Sequence, residues 1–222
     1  MDFWQEHCLA TVRITEIFYS LQGEARTIGL PTVFVRLTGC PLRCQYCDTT
    51  YSFSGGELQD LSQIVAEVSR WKTPYVTVTG GEPLAQPNVH PLMQSLCDQG
   101  FEVSLETSGA LPIDEVDPRV SVVLDLKTPD SAECHRNLYE NIALLKHKDQ
   151  VKFVVCSRSD YEWARFKVDE YRLTEKAGDV LFSPSHGEVL PTELADWILA
   201  DRLNVRFQLQ LHKILWADEP GR

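Results

Sequence analysis

Stretches with the composition of strands alternate with stretches of helical periodicity along nearly the whole of this chain. Strand-like segments, rich in β-branched and aromatic residues, run through 33–37, 75–78, 101–105, 120–126, 151–155, 180–182 and 205–211, with a further early strand at 11–18. Helical spacing of apolar residues fills the intervals: 60–68, with Leu61, Ile64, Val65 and Val68 on one face, then 90–97, 137–145, 161–173 and 192–203, the last with Thr192 as its expected cap. Such alternation implies an α/β fold with a mostly parallel sheet joined by right-handed crossovers. Periodicity leaves a partial barrel and an open sheet both possible. The 222 residues suit one domain with a sizeable core, and 43% hydrophobic with 24% charged residues argues against disorder as the main state.

In βα architectures chemistry gathers at the carboxyl ends of the strands. Just past the strand-like segments this sequence places Cys40-Pro41-Leu42-Arg43-Cys44, Thr79-Gly80-Gly81-Glu82-Pro83, Glu106-Thr107-Ser108-Gly109, Asp125-Leu126-Lys127, Ser157-Arg158, Ser183-Pro184-Ser185-His186 and His212-Lys213. One site assembled from many loops explains why polar groups and glycines recur at the same end of each unit. The balance of charge narrows its ligands. A net charge of −11, with no Lys/Arg run, does not suit tight non-specific nucleic-acid binding. The first residues lack a basic stretch followed by an apolar one, and no apolar run approaches the ~20 residues of a membrane helix, so a cytoplasmic protein without a membrane partner is expected.

Seven cysteines, an odd number in a chain without a secretion signal, do not suggest a disulfide framework. Cys8, Cys97, Cys134 and Cys156 are scattered and read as small apolar residues. Cys40, Cys44 and Cys47 instead crowd into a C-x3-C-x2-C loop. Three thiolates on one short loop suit a soft metal centre, whereas a structural zinc site usually takes four protein ligands. On a four-iron cubane, three cysteines leave one iron open to chelation by a substrate or cofactor, which an electron carrier with four cysteines does not offer.

This loop, with Tyr46 before its third cysteine and Gly80-Gly81-Glu82-Pro83 after the next strand, resembles the signature of the radical S-adenosylmethionine (SAM) superfamily. The resemblance implies a [4Fe–4S] cluster on Cys40, Cys44 and Cys47, with SAM chelating the open iron and cleaved by one electron to a 5′-deoxyadenosyl radical. It also implies a partial, incomplete TIM-like barrel with outer helices. Flanking residues narrow the family. Leu21-Gln22-Gly23-Glu24, Arg36-Leu37-Thr38-Gly39-Cys40, Cys47-Asp48-Thr49 and the late Gln208-Leu209-Gln210-Leu211-His212-Lys213 resemble, in motif order from about residue 14 onward, the 7-carboxy-7-deazaguanine synthases of queuosine biosynthesis. That family's reaction is a ring contraction of 6-carboxy-5,6,7,8-tetrahydropterin, with catalytic SAM, assisting Mg²⁺ and loss of ammonia. A homodimer and an external one-electron reductant, flavodoxin- or ferredoxin-like, come with it.

The resemblance assigns roles residue by residue. Leu21, Gln22 and Gly23 would line the pterin with Glu24 close by, within an N-terminal extension of residues 1–30 that carries the LQGE loop. Arg36 would meet the substrate carboxylate with its forked guanidinium, and Thr79 would also touch substrate. Thr49 would ligate Mg²⁺ through its hydroxyl. Gly80 and Gly81 would let the backbone approach the methionine end of SAM, and Glu82 would position its ammonium. Glu106, Asp125 and Lys127, with Ser183, Pro184, Ser185 and His186, would surround the cofactor. Plainer readings stand beside these: Arg36 as a rim residue, Thr49 satisfying backbone groups, Gln22-Gly23 as a simple turn, and His212 as structural. A glycyl-radical activating enzyme shares the cysteine spacing, and a non-enzymatic iron–sulfur or zinc module would need no GGEP loop. Two positions depart from the family: Ala25 stands where Gly is frequent, and Asp125-Leu126-Lys127 replaces a Ser-Pro-Lys found in some members. The final Trp216-Ala217-Asp218-Glu219-Pro220 does not align cleanly.

Overall fold

A computed structural model describes residues 10–217, 219 and 221. Cys8, the first nine residues of the expected extension, and Asp218 and Pro220 lie outside them. Nine strands form one sheet in the order β3-β1-β2-β4-β5-β6-β7-β8-β9. They are β1 (Thr11–Leu21), β2 (Pro31–Leu37), β3 (Glu57–Asp60), β4 (Tyr75–Gly80), β5 (Glu102–Thr107), β6 (Ser121–Asp125), β7 (Gln150–Val155), β8 (Asp179–Pro184) and β9 (Arg206–Phe207). From β2 onward, leaving out β3, the neighbours are parallel; β1 runs antiparallel to both β2 and β3. The sheet is open, with β3 and β9 as its edges. The early segment is thus part of the sheet, and its loop to β2 carries the LQGE residues.

Period-two alternation explains both faces of this sheet. Val33, Val35 and Leu37 of β2, Val76 and Val78 of β4, and Val103 and Leu105 of β5 point outward into a core completed by α1 (Leu61–Val68) and α2 (Val89–Asp98). In α2, Val89, Leu92, Met93, Leu96 and Cys97 are buried, an i, i+3, i+4, i+7, i+8 stripe. Val151, Phe153 and Val155 of β7 enter a second core with α3 (Arg158–Tyr171), the short α4 (Leu173–Lys176) and α5 (Pro191–Asp201). Each fully buried large side chain in these cores contributes roughly 1.5–3 kcal/mol. The intervening residues face the other way. Arg36 lies beside Thr79 in register, Glu106 beside Val123, and Asp125 beside Lys152. The inner face is therefore polar toward the carboxyl ends, which is unusual for a core and positions a site.

Three local expectations change. Residues 205–211 yield only the two-residue β9, after which the chain turns into α6 (Leu211–Trp216). Gln208 N still donates to Phe182 O of β8 at 3.0 Å, while its side chain accepts from Ala25 N at 2.7 Å and donates to Ala25 O at 2.8 Å. Within 137–145 the structure has a 3-10 segment, Tyr139–Leu144. There buried Asn141 accepts from Ile113 N and donates to Leu111 O, a tertiary anchor that outweighs helical spacing. Thr192 does not cap α5: Pro191 takes the first helical position, Leu190 is the N-cap, and Glu193 accepts from the Leu190 N–H. Ala25 has φ +62°, so the loop keeps a left-handed turn with an alanine in it.

Candidate functional site

At the carboxyl ends of β2 and β4–β8 lies a cavity of about 480 Å³. Its lining brings together Cys40, Cys44, Tyr46, Cys47 and Thr49 with Gly80, Gly81, Asp125, Lys127, Ser185 and His186. The same wall carries Leu21, Gln22, Gly23, Glu24, Arg36, Thr79 and Glu106. Glu82, Ser183 and Pro184 are not on that wall. Ser183 and Pro184 are buried within β8.

Glu82 is wholly buried, and its carboxylate accepts from Thr107 Oγ1 (2.9 Å), Ser108 N (2.7 Å), Ser108 Oγ (2.5 Å) and Leu84 N (3.0 Å). It ties the GGEP loop to the end of β5. The glycines before it have a packing role as well. A Cβ on Gly81 would sit 2.2 Å from Gly39 O and 2.8 Å from Cys40 Cβ. Gly81 N donates to Leu37 O and Glu82 N to Gly39 O, so the GGEP loop lies directly against the cysteine loop.

The cysteine loop is braced from outside. Arg43 N donates to Glu133 Oε1 (2.6 Å) and Gln45 N to Ser131 O (3.1 Å), while the Arg43 guanidinium covers the Phe53 ring at 4.2 Å. All three cysteines are free, half-buried thiols. Burial pushes the Cys44 thiol up to about 11, against the pull of the Lys127 charge, so coordination has to displace its proton. Among the described residues no three His, Cys, Asp or Glu side chains meet around one point closely enough for a single metal ion. A multi-iron cluster asks for one thiolate on each of three irons, and the three thiols face one shared space. Lys127 stands by as a cation, its Nζ 5.6 Å over the Tyr46 ring and 3.0 Å from Asp125 Oδ2. Burial opposes the Lys127 charge, but Asp125, Tyr46 and Cys44 outweigh it and raise its pKa.

The polar floor is a connected set. Glu106 accepts from Thr79 Oγ1 (3.0 Å) and from Gln22 Nε2 (3.2 Å), which also donates to Thr77 Oγ1. Gln22 Oε1 accepts from Glu24 N. The Gln22 amide is thus engaged in holding the floor, and Gln22 also stands on the cavity wall. Burial and the nearby Glu24 charge raise the Glu106 pKa. Arg36 Nε donates to Glu16 Oε1 at 2.7 Å, and its guanidinium lies 5.6 Å from the Phe18 ring, which stacks on Phe34. A Cβ on Gly23 would come within 2.2 Å of His212 Nδ1, and Gly23 O accepts from Leu211 N, so the LQGE loop carries the start of α6. Asp48 Oδ2 lies 3.3 Å from Lys213 Nζ and 3.9 Å from His212 Nε2. Burial works against its charge, but His212 and Lys213 prevail and hold its carboxyl below the usual range. Thr49 Oγ1 donates to Asp48 Oδ1 at 3.4 Å.

Sequence reasoning missed Lys152. This half-buried lysine on β7 pairs with Glu24 and lies 3.7 Å from Asp125 Oδ2. Burial opposes its charge, but Glu24, Asp125 and Glu106 raise its pKa. The signal was present: a lysine at an inward position of the Val151-Lys152-Phe153-Val154-Val155 strand. Gln210, which donates to Glu24 Oε1 at 2.7 Å, was missed too, because it sat within a segment read as strand.

Comparison with known proteins identifies the family. The radical SAM superfamily profile matches residues 34–152. The 7-carboxy-7-deazaguanine synthase of Chlorobaculum tepidum is 43% identical over 93% of this chain and 95% of its own length. That of Koribacter versatilis is 41% identical over 94% and 98%. The crystal structure of QueE from Escherichia coli superposes with a TM-score of 0.74 at 24% identity, covering 91% of this chain and 95% of that one, which shows a shared fold.

Proposed function

This chain belongs to the 7-carboxy-7-deazaguanine synthases of the radical SAM superfamily, and we propose that its cavity contracts 6-carboxy-5,6,7,8-tetrahydropterin to 7-carboxy-7-deazaguanine with release of ammonia. The observation that carries the proposal is that the three cysteines share one cavity with Arg36 and the LQGE loop. A thiolate triad and an anchor for a small carboxylated substrate thereby serve one reaction space, which a protein activating a large partner does not require. When bound, a [4Fe–4S] cluster with SAM would supply the one-electron radical chemistry at this cavity.

This chain's residues do the rest. Cys40, Cys44 and Cys47 hold the cluster. Gly80 and Gly81 bring the cofactor wall close to the cysteine loop. Asp125, Lys127, Ser185 and His186 are assigned to SAM. Arg36 binds the substrate carboxylate, sharing its guanidinium with Glu16, and Phe18 and Phe34 offer an apolar face beside it. Thr79 and Glu106 set the floor, and Glu106 is suited to hold a proton. Thr49 offers Mg²⁺ one hydroxyl; because Lys213 already attends Asp48, the remaining oxygens would come from substrate and water, as Mg²⁺ sites commonly allow.

We assign residues 1–222 to one domain. Exposed Tyr19 and Trp71, stacked at 5.0 Å, support self-association into a homodimer, checked by sedimentation. An external one-electron donor, flavodoxin- or ferredoxin-like, completes the system. Among the described residues no helix is long and apolar enough to cross a membrane. The test is ammonia release by anaerobically reconstituted protein: one equivalent per pterin, dependent on SAM, supports the reading. SAM cleavage without ammonia from this pterin sinks it.

A further inference from the structure

We propose that Lys152 and Glu24 together read the 2-amino-4-oxo edge of the bound pterin, the carboxylate accepting from the ring N–H and 2-amino group and the ammonium donating to the 4-oxo oxygen. The inference rests on the substrate reading above and adds the residues that choose among pteridines. Both side chains are on the cavity wall, with side-chain exposures of 12% for Lys152 and 8% for Glu24, and they are paired to each other. Glu24 arrives from the LQGE loop and Lys152 from the middle of β7, so the pair exists only in the folded sheet. Gln210 Nε2 fixes the carboxylate from a third element at 2.7 Å.

The chemistry of the pair follows from donor and acceptor counts. A carboxylate oxygen has two lone-pair sites, and an ammonium has three N–H donors. Glu24 takes one of those donors through Oε2, and Asp125 Oδ2 at 3.7 Å stands beyond hydrogen-bond reach, attracting the ammonium by charge. The pair can therefore present a donor next to an acceptor to the cavity. A 2-amino-4-oxo pteridine edge reads acceptor, donor, donor, which is the complement. A 2,4-diamino edge sets an amino group against the ammonium and is mismatched. An ion pair that only braced the floor would be indifferent to the substituent at position 4.

Fluorescence titration of the reconstituted full chain with SAM at pH 6.5, where the ring N–H of the 4-oxo probe is retained, separates these cases, using pterin-6-carboxylate and 2,4-diaminopteridine-6-carboxylate as probes. Wild type is expected to favour the 4-oxo probe by roughly thirtyfold, the scale of one charge-assisted hydrogen bond. Lys152→Met should narrow that preference to within about threefold. Lys152→Gln, whose amide can donate or accept, should narrow it similarly and decides the matter if the Met variant does not fold. Loss of affinity for both probes with the preference intact overturns the inference, as does a wild type that binds both equally. A wild type that binds neither probe sinks the substrate reading itself.

Discussion

Replacing Glu82 by Gln separates a structural role for the GGEP carboxylate from a cofactor-contacting one. Glu82 is wholly buried and accepts from Ser108 N, Ser108 Oγ, Thr107 Oγ1 and Leu84 N. Gln keeps the shape but turns one of the two acceptor oxygens into an NH₂ donor. On the Oε2 side that donor meets the Ser108 backbone N–H; on the Oε1 side it meets the Leu84 N–H. The hydroxyls can rotate, but the backbone donors cannot. One buried N–H is then left unsatisfied at a cost of about 1–3 kcal/mol, and the bonds that remain are no longer charge-assisted. A total near 3 kcal/mol should lower the melting temperature by about 6–12 °C in a chain of this size. The assay is anaerobic thermal unfolding of Glu82→Gln beside wild type, with SAM affinity measured well below the transition. SAM affinity should change little. Unchanged stability together with lost SAM binding would refute the reasoning and return Glu82 to the cofactor.

Arg36→Ala should raise the KM for the carboxylated pterin about ten- to a hundredfold, the scale of a charge-assisted bond, while SAM affinity measured by titration stays put. Thr49→Val should raise the Mg²⁺ concentration needed for half-maximal turnover, and an unchanged requirement would remove Thr49 from the metal. Glu106 has its folded pKa raised by burial and by Glu24, so its contribution to stability is present below its unfolded pKa of about 4.3 and is lost as pH rises through the folded value. Urea midpoints of the metal-free chain should therefore fall for wild type relative to Glu106→Gln between pH 5 and pH 8; parallel curves would contradict this. Ala25, at φ +62°, should become more stable as Gly by roughly 0.5–1 kcal/mol, because relief of left-handed strain exceeds the added freedom of the unfolded chain.

Much of the frame was readable in the sequence because it rests on local periodicity. The apolar residues of Val33-Phe34-Val35-Arg36-Leu37 and Tyr75-Val76-Thr77-Val78 gave strands, and the stripe of 90–97 gave a helix, each close to its observed span. The same alternation also encoded the inner face: Arg36, Thr79, Glu106, Asp125 and Lys152 all occupy inward positions on or at the ends of their strands. What the alternation does not carry is partnership across distance. Lys152 meets Glu24 128 residues away, and no spacing rule connects them. Glu82 shows a different gap. A motif that suggests cofactor contact did not reveal that Thr107 and Ser108, on the next strand end, would fill both oxygens. At the end of the chain, the Gln208 side chain clamps Ala25 and α6 begins three residues later, a tertiary constraint that strand-like composition concealed.

The most direct test of the central claim is product analysis. Anaerobically reconstituted protein is incubated with reductant, SAM, Mg²⁺ and 6-carboxy-5,6,7,8-tetrahydropterin, and mass spectrometry follows 7-carboxy-7-deazaguanine, with Cys44→Ala as the matched control. SAM-dependent product is expected from the wild type and none from Cys44→Ala. Formation of 5′-deoxyadenosine without any deazaguanine, or full turnover by Cys44→Ala, would contradict the claim.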